Sequence, residues 1–241
     1  MEQLAAERVF IWGDSLAKGI FWNEARKRHA YCETTAADIA ARRLGIEIVN
    51  RAKFGCTAPQ GLEMMERDTE SGIACQAAVI EFGGNDCNFN WAEISERPEE
   101  QHQPVTSPEA YQESMRGMVR WLFSRGIRPV LMTLPPIDAE RYFRFLVGDR
   151  LNPKHIMHWL GDVQQIYRYQ EMYSLLVEKV AREFSIRLID LRQRCLENRG
   201  FVKEMICEDG LHLTQRGQLF IGDAIVELVE QENWRIKRSA S

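Results

Sequence analysis

Short apolar runs that stop at glycine, proline or a polar turn residue recur along the chain and alternate with stretches of helical periodicity. Five such runs are four to six residues long, which is too short for most helices, and they are rich in β-branched and aromatic residues. They cover residues 9–12, 46–49, 77–82, 129–134 and 186–190. Runs of this kind are typical of strands that are buried on both faces of a parallel sheet. The pattern therefore predicts a three-layer α/β/α sandwich.

The segments between these runs carry helix signals. Ser107 precedes Pro108 and an early acidic residue, which is the pattern of a cap and first turn, and it predicts a helix that ends near Ser124. Residues 162–184 have helical apolar spacing, and Thr214 precedes a last amphipathic helix. The chain has no internal repeat and no low-complexity linker, so we predict one domain over residues 1–241.

Two segments are longer than most strand-to-helix connections. They cover residues 87–106 and 136–161, and each follows a predicted strand. Their aromatic residues are Phe89, Trp91, Tyr142, Phe143, Phe145 and Trp159. Ligands of open α/β sheets bind beyond the carboxyl ends of the strands. The segments are therefore either walls of a pocket or additional surface structure that buries its own aromatic rings.

Charge and hydropathy narrow the functional classes. The 31 Lys and Arg residues against 35 Asp and Glu residues give a net charge of −4, whereas nucleic-acid-binding proteins usually have a basic excess. No apolar run approaches the roughly 18 residues of a membrane span. Residues 1–8 are polar and lack the pattern of a signal peptide, so we expect a cytoplasmic protein. The six cysteines form no CxxC pair, and we interpret them as reduced packing residues.

Polar residues at the predicted strand ends carry the chemistry. Ser15 follows the first strand in a Gly-Asp-Ser turn, which places its hydroxyl at the carboxyl edge of the sheet. A serine nucleophile needs a base, and His212 can accept its proton while Asp209 orients the ring. The backbone N–H groups of Ser15 and Gly55 and the side-chain amide of Asn85 follow three strands predicted to be adjacent. They can therefore converge on a developing oxyanion.

Four blocks of sequence resemble the SGNH hydrolases, which are also called the GDSL esterase/lipase family. The blocks occur in the family's order at residues 13–15, 50–55, 83–86 and 209–214. The resemblance implies a flavodoxin-like sheet of five parallel strands in the order 2-1-3-4-5. It also implies Ser15 as nucleophile, His212 as base and Asp209 as its partner, with Ser15, Gly55 and Asn85 forming the oxyanion hole. Family members often have a second glycine where this chain has Ala52.

Residues next to the candidate catalytic residues have structural rather than catalytic interpretations. We expect Asp14, Asp86 and Asn50 to hold turns by hydrogen bonds. The basic run at residues 26–29 is typical of a solvated face, although it can attract an anionic substrate group.

Two further pairs of residues carry no catalytic prediction. Cys56 and Cys87 lack a histidine partner, so packing is the favoured interpretation. His155 and His158 are three residues apart but have no third ligand in view. We therefore predict neither a metal nor a cofactor.

The leading functional hypothesis is a serine esterase that acts on a small-molecule ester through an acyl-enzyme. The residues favour short acyl groups on a polar alcohol such as a carbohydrate. An acyltransferase, or an acyl hydrolase of the lysophospholipase or thioesterase type, would use the same residues. An inactive binding module is disfavoured because Ser15, Asn85, Asp209 and His212 are all present.

Overall fold

A computed structural model describes residues 7–72 and 74–231 of the chain. The strands in these residues are β1 (Arg8–Gly13), β2 (Ile20–Asn23), β3 (Arg28–Tyr31), β4 (Glu47–Asn50), β5 (Ala77–Glu81), β6 (Arg128–Met132) and β7 (Arg187–Ile189). Five of them form one parallel sheet in the order β4-β1-β5-β6-β7. In the order in which these five occur along the chain, that is 2-1-3-4-5, and the predicted topology is confirmed.

Helices cover both faces of this sheet. They are α1 (Ser15–Lys18), α2 (Ala36–Leu44), α3 (Ala58–Glu70), α4 (Trp91–Glu96), α5 (Pro108–Ser124), α6 (Ala139–Val147), α7 (Pro153–Leu160), α8 (Gln165–Glu183), α9 (Leu191–Glu197), α10 (Phe201–Met205) and α11 (Gln215–Gln231). Side chains of α3, α5 and α8 pack with Phe10 and Ile80 on one face of the sheet. Those of α9, α10 and α11 pack with Val130 and Met132 on the other.

The caps predicted from the sequence are present. The Ser107 hydroxyl accepts the Ala110 N–H at 3.3 Å where α5 begins, and the Thr214 hydroxyl accepts the Gly217 N–H at 3.1 Å at the start of α11. Helix α8 begins at Gln165 rather than at Asp162. The Asp162 side chain accepts the Gln164 N–H in a turn that precedes the helix.

The antiparallel hairpin of β2 and β3 was not predicted. It pairs Ile20 with Tyr31 and Asn23 with Arg28, immediately after the nucleophile turn. Its connection contains neither glycine nor proline, and Lys27 adopts a left-handed conformation with a φ of 47°. The usual sequence signal of a tight hairpin is therefore missing.

The two long segments hold additional structure at the carboxyl end of the sheet. The segment after β5 contains α4, and the segment after β6 contains α6 and α7. Their apolar residues form a cluster of their own with side chains such as Phe89, Ile94, Tyr142 and Ile156. Within the described residues, no helix is long and apolar enough to cross a membrane.

Candidate active site

The turn that carries Ser15 is built by close contact between β1 and β5. A side chain at Gly13 would lie 2.7 Å from the Glu81 carbonyl oxygen, so only glycine fits there. Asp14 caps α1 by accepting the Leu16 N–H at 2.9 Å. Ser15 is therefore the first residue of a short helix, at the carboxyl edge of the sheet.

Ser15, His212 and Asp209 form a continuous chain of hydrogen bonds. The Ser15 Oγ lies 2.9 Å from the His212 Nε2, and the His212 Nδ1 lies 2.6 Å from the Asp209 Oδ2. All three residues are buried. The structure thus joins two ends of the chain, 197 positions apart, in the arrangement that the sequence predicts.

The local backbone holds Asp209 in place. Its Oδ1 accepts the N–H groups of Leu211 and His212, both at 3.0 Å. Gly210 has a φ of 76°, and a side chain there would clash with the Tyr142 backbone nitrogen, so glycine is required at this position.

The charge of Asp209 follows from these contacts. Burial alone would raise the pKa of Asp209, but the hydrogen bond from His212, the nearby imidazole and the two backbone N–H groups together hold it below its ordinary value. Asp209 is therefore an ionised acceptor that fixes the His212 ring.

The three residues predicted for the oxyanion hole lie together. Ser15, Gly55 and Asn85 all line one pocket beside His212. Gly55 has a φ of 72°, a conformation that favours glycine. The Asn85 amide donates to the Asp14 Oδ2 at 3.2 Å and to the Cys56 carbonyl at 3.1 Å.

The neighbouring acidic and amide residues hold turns. The Asp86 carboxylate accepts the Ala58 N–H where α3 begins, and Asn50 donates to the Ala17 carbonyl at 2.7 Å. With the Asp14 cap, these contacts support the structural roles predicted for Asp14, Asp86 and Asn50.

Asp14 also faces a second buried acid that the sequence did not reveal. Burial raises the pKa of Asp14 to about 6. Burial, with the charge of Asp14, raises the pKa of Glu81 well above its ordinary value. Glu81 lies beneath the nucleophile turn, where its Oε2 accepts the Asp14 backbone N–H at 3.5 Å and its Oε1 has no hydrogen-bond partner among the described residues.

The pocket at Ser15 is small and mostly apolar. Its volume is about 100 Å³. Six aromatic residues are predicted as possible pocket walls. Phe89, Trp91 and Tyr142 line the pocket at Ser15, whereas Phe143, Phe145 and Trp159 do not. The side-chain oxygen of Asn88 accepts hydrogen bonds from the Trp91 indole at 2.7 Å and the Tyr142 hydroxyl at 2.9 Å. These two rings are therefore held in fixed positions.

A larger cavity of about 410 Å³ lies on the other face of the sheet, against α2 and α11. Its lining is mainly aliphatic and includes neither Ser15 nor His212. Leu16 lines both this cavity and the pocket at Ser15.

The basic run contributes one residue near the site. Arg26, Lys27 and Arg28 are exposed, as expected of a solvated face. His29, by contrast, contacts the His212 ring, with 4.9 Å between ring centroids. Phe54 stacks on His212 from another direction at 6.2 Å. Both neighbours were missed because the unpredicted hairpin positions His29 and an irregular loop positions Phe54.

The remaining candidates have structural contacts. Burial raises the pKa of the Cys56 thiol to about 11 and raises that of Cys87 further, which supports their interpretation as packing residues. His155 bonds to the Ser95 carbonyl at 2.7 Å, and His158 pairs with Glu99.

Comparison with known proteins places the chain in a family. A model of the GDSL-like lipase/acylhydrolase family matches residues 11–219. The GDSL esterase/lipase CPRD49 of Arabidopsis thaliana is 21% identical over 238 residues, which cover 95% of this chain and 81% of the plant protein. The isoamyl acetate-hydrolyzing esterase 1 homolog of Bos taurus is 22% identical over 231 residues, covering 93% of this chain and 82% of the bovine protein.

The fold has solved counterparts as well. The crystal structure of a lipase/acylhydrolase from Enterococcus faecalis superposes with a TM-score of 0.67 at 18% identity, covering 94% of this chain and 96% of the bacterial one. The resemblance inferred from the four sequence blocks is thereby confirmed. The protein belongs to the GDSL-like lipase/acylhydrolase family, also known as the SGNH hydrolases, and is a carboxylic-ester hydrolase.

Proposed function

We propose that the protein hydrolyses esters of short acyl groups through an acyl-enzyme formed on Ser15. The observation that carries this proposal is the chain of contacts from Ser15 Oγ to His212 Nε2 and from His212 Nδ1 to Asp209 Oδ2, at 2.9 and 2.6 Å. Such an arrangement lets an imidazole accept the serine proton while a carboxylate stabilises the imidazolium.

In the first half of the reaction, the Ser15 oxygen bonds to the ester carbonyl carbon and its proton passes to the His212 Nε2. The tetrahedral intermediate collapses when the carbon–oxygen bond to the alcohol breaks, and the alcohol leaves with the proton from Nε2. In the second half, water loses a proton to Nε2 and attacks the acyl carbon. His212 then returns that proton to the Ser15 oxygen as the acid departs.

Stabilisation of the oxyanion is assigned to the Ser15 and Gly55 N–H groups and the Asn85 amide. The Asn85 contacts to Asp14 and Cys56, at 3.2 and 3.1 Å, are longer than a typical hydrogen bond. A developing negative charge is a stronger acceptor than a neutral carbonyl. Asn85 can therefore redirect the N–H that contacts the Cys56 carbonyl, so that it donates a hydrogen bond to the oxyanion.

The size of the pocket supports short acyl groups. Its volume of about 100 Å³ is well below the roughly 300–1,000 Å³ of sites for larger ligands. The similarity to an isoamyl acetate-hydrolyzing esterase homolog points to the same class of acyl group.

The alcohol would lie on the solvent side, next to the Phe54 ring, which is 50% exposed. We assign this side to a polar alcohol, a class that includes carbohydrates.

The test is a comparison of kcat/KM for activated esters from two to twelve acyl carbons, followed by acetylated sugars. We expect the highest values at two to four carbons. Ile137→Ala, which enlarges the pocket, should shift this preference towards longer chains, whereas Ile127→Ala in the core on the α5 side of the sheet should not. A preference for eight or more carbons in the native protein would refute the short-acyl assignment. Transfer to an added alcohol in place of hydrolysis would indicate an acyltransferase.

A further inference from the structure

His29 lies against the Asp209–His212 pair without belonging to it. Its Nε2 is 3.7 Å from the Asp209 Oδ2, and its ring meets the His212 ring edge to face. The His29 side chain is 34% exposed, whereas Asp209 is 1% exposed. A solute can therefore reach this cluster through the exposed side of His29.

We propose that His29, Asp209 and His212 form an inhibitory binding site for zinc or a similar divalent transition-metal ion. Among the described residues, this is the one group of three metal-ligating side chains whose ligand atoms all lie within 4.8 Å of one another. Two imidazoles and one carboxylate, with water in the fourth position, make a ligand set that suits zinc.

The separations fit such an ion after small movements. Ligand atoms at zinc distances of about 2.0–2.1 Å in a tetrahedron lie about 3.3 Å apart. The observed distances to the Asp209 Oδ2 are 3.7 Å from His29 and 2.6 Å from His212. These two separations therefore have to change by less than about 1 Å. The third, between the two histidine nitrogens, is at most 4.8 Å and has to shorten by no more than about 1.5 Å.

The orientation of the ligand atoms also favours binding. The Nε2 of His29 faces the Asp209 Oδ2, and a neutral imidazole can bind a metal through this nitrogen. The backbone N–H groups of Leu211 and His212 occupy only the Asp209 Oδ1. Oδ2 thus remains directed towards both histidines. Magnesium prefers an all-oxygen set and should not bind here.

Binding would remove the base from the reaction. In the free protein the His212 proton lies on Nδ1, and Nε2 accepts from Ser15. When Nδ1 gives its lone pair to the metal, the one proton of neutral His212 has to reside on Nε2. Nε2 then donates to Ser15 Oγ and cannot accept its proton. This inhibitory consequence rests on the proposed function, whereas binding of the ion does not.

The test is a zinc titration of the purified full-length chain by calorimetry after treatment with a chelator. We expect about one zinc ion per chain in the wild type, with affinity reduced about tenfold or more in His29→Gln. The matched control His158→Gln removes an exposed histidine that pairs with Glu99 and should bind zinc like the wild type. His29→Asn provides a second variant if His29→Gln has a lowered melting temperature, and magnesium should give no binding heat.

Inhibition is measured separately, as ester hydrolysis at increasing zinc, with each variant normalised to its own zinc-free rate. The half-inhibitory concentration should rise about tenfold or more in His29→Gln and remain unchanged in His158→Gln. Equal binding or equal inhibition in the wild type and both His29 variants would overturn the proposal. Zinc binding that depends on His29, in a protein that hydrolyses no ester, would support the metal site and refute the proposed function.

Discussion

Replacing Asp209 by asparagine tests how the carboxylate acts on His212. The Asp209 Oδ1 accepts two backbone N–H groups at 3.0 Å, and Oδ2 accepts the His212 Nδ1–H at 2.6 Å. In Asp209→Asn the side-chain oxygen has to keep the two backbone donors, because the amide NH₂ would repel them. The NH₂ group then points at Nδ1, which has to become an acceptor, and the imidazole proton moves to Nε2.

The expected loss follows from this exchange of tautomers. With a proton on Nε2, His212 cannot accept from Ser15, so we expect kcat/KM to fall by about 10⁴-fold, as for other triads altered in this way. Asp209→Ala removes the charge-assisted hydrogen bond to His212, worth about 1.5–3 kcal/mol, together with the two hydrogen bonds from the backbone N–H groups. It leaves the tautomer free, so kcat/KM should fall by about 10- to 100-fold. The shorter side chain should therefore be the less damaging one.

The assay is hydrolysis of p-nitrophenyl acetate, with thermal melting of each variant. Asp209→Asn retains both backbone hydrogen bonds and should melt close to the wild type. Asp162→Asn, at an exposed aspartate that pairs with Arg168, controls for the substitution itself. If kcat/KM falls by less than tenfold in Asp209→Asn, or by less than it does in Asp209→Ala, the carboxylate does not set the His212 tautomer.

Three more outcomes are expected. Asn85→Ala should lower kcat by about 10²–10³-fold with little change in KM; an unchanged kcat, or a loss that only tracks a fall in melting temperature, would make Asn85 structural. His212→Ala should reduce activity about as much as Ser15→Ala, because the two residues act as one unit; substantial activity in His212→Ala would contradict its role as the base. Because the folded protein binds the Glu81 proton more tightly than the unfolded chain does, its stability should fall as pH rises from the ordinary glutamate pKa of 4.5 towards the raised pKa of Glu81. The melting temperature of Glu81→Gln should therefore fall less between pH 5 and 8 than that of the wild type. Equal falls in melting temperature would refute the raised pKa of Glu81.

The sheet and the position of Ser15 at its edge could be predicted from the sequence because both depend on local signals. Each strand of the sheet is an apolar run that ends at a turn residue. The polar residues at these strand ends necessarily share one edge of a parallel sheet. Asp209 and His212 are three residues apart, so their contact requires only a tight turn. No local signal brings Ser15 to His212, which is 197 positions away in the sequence. That contact was predicted from the chemistry of the two residues and from the resemblance to the SGNH hydrolases.

Other parts of the site depend on pairings that leave little trace in the sequence. His29 reaches Asp209 only because the β2–β3 register pairs it with Trp22, and the turn between these strands lacks glycine. Glu81 ends an otherwise apolar strand, and its contact with Asp14 arises from the β1–β5 register, which pairs Gly13 with Glu81. Which aromatic rings line the pocket depends likewise on how α4 and α6 pack.

In the proposed reaction, Ser15 forms a covalent bond to the acyl group of the substrate. The most direct measurement is to treat the active protein with a fluorophosphonate and to locate the adduct by mass spectrometry of the digested chain. We predict one adduct per chain, on the peptide that contains Ser15, with loss of hydrolysis in proportion to labelling. An adduct on another residue such as Cys56 while Ser15 remains unmodified would contradict an acyl-enzyme on Ser15. Full labelling of Ser15 with activity retained would contradict it as well.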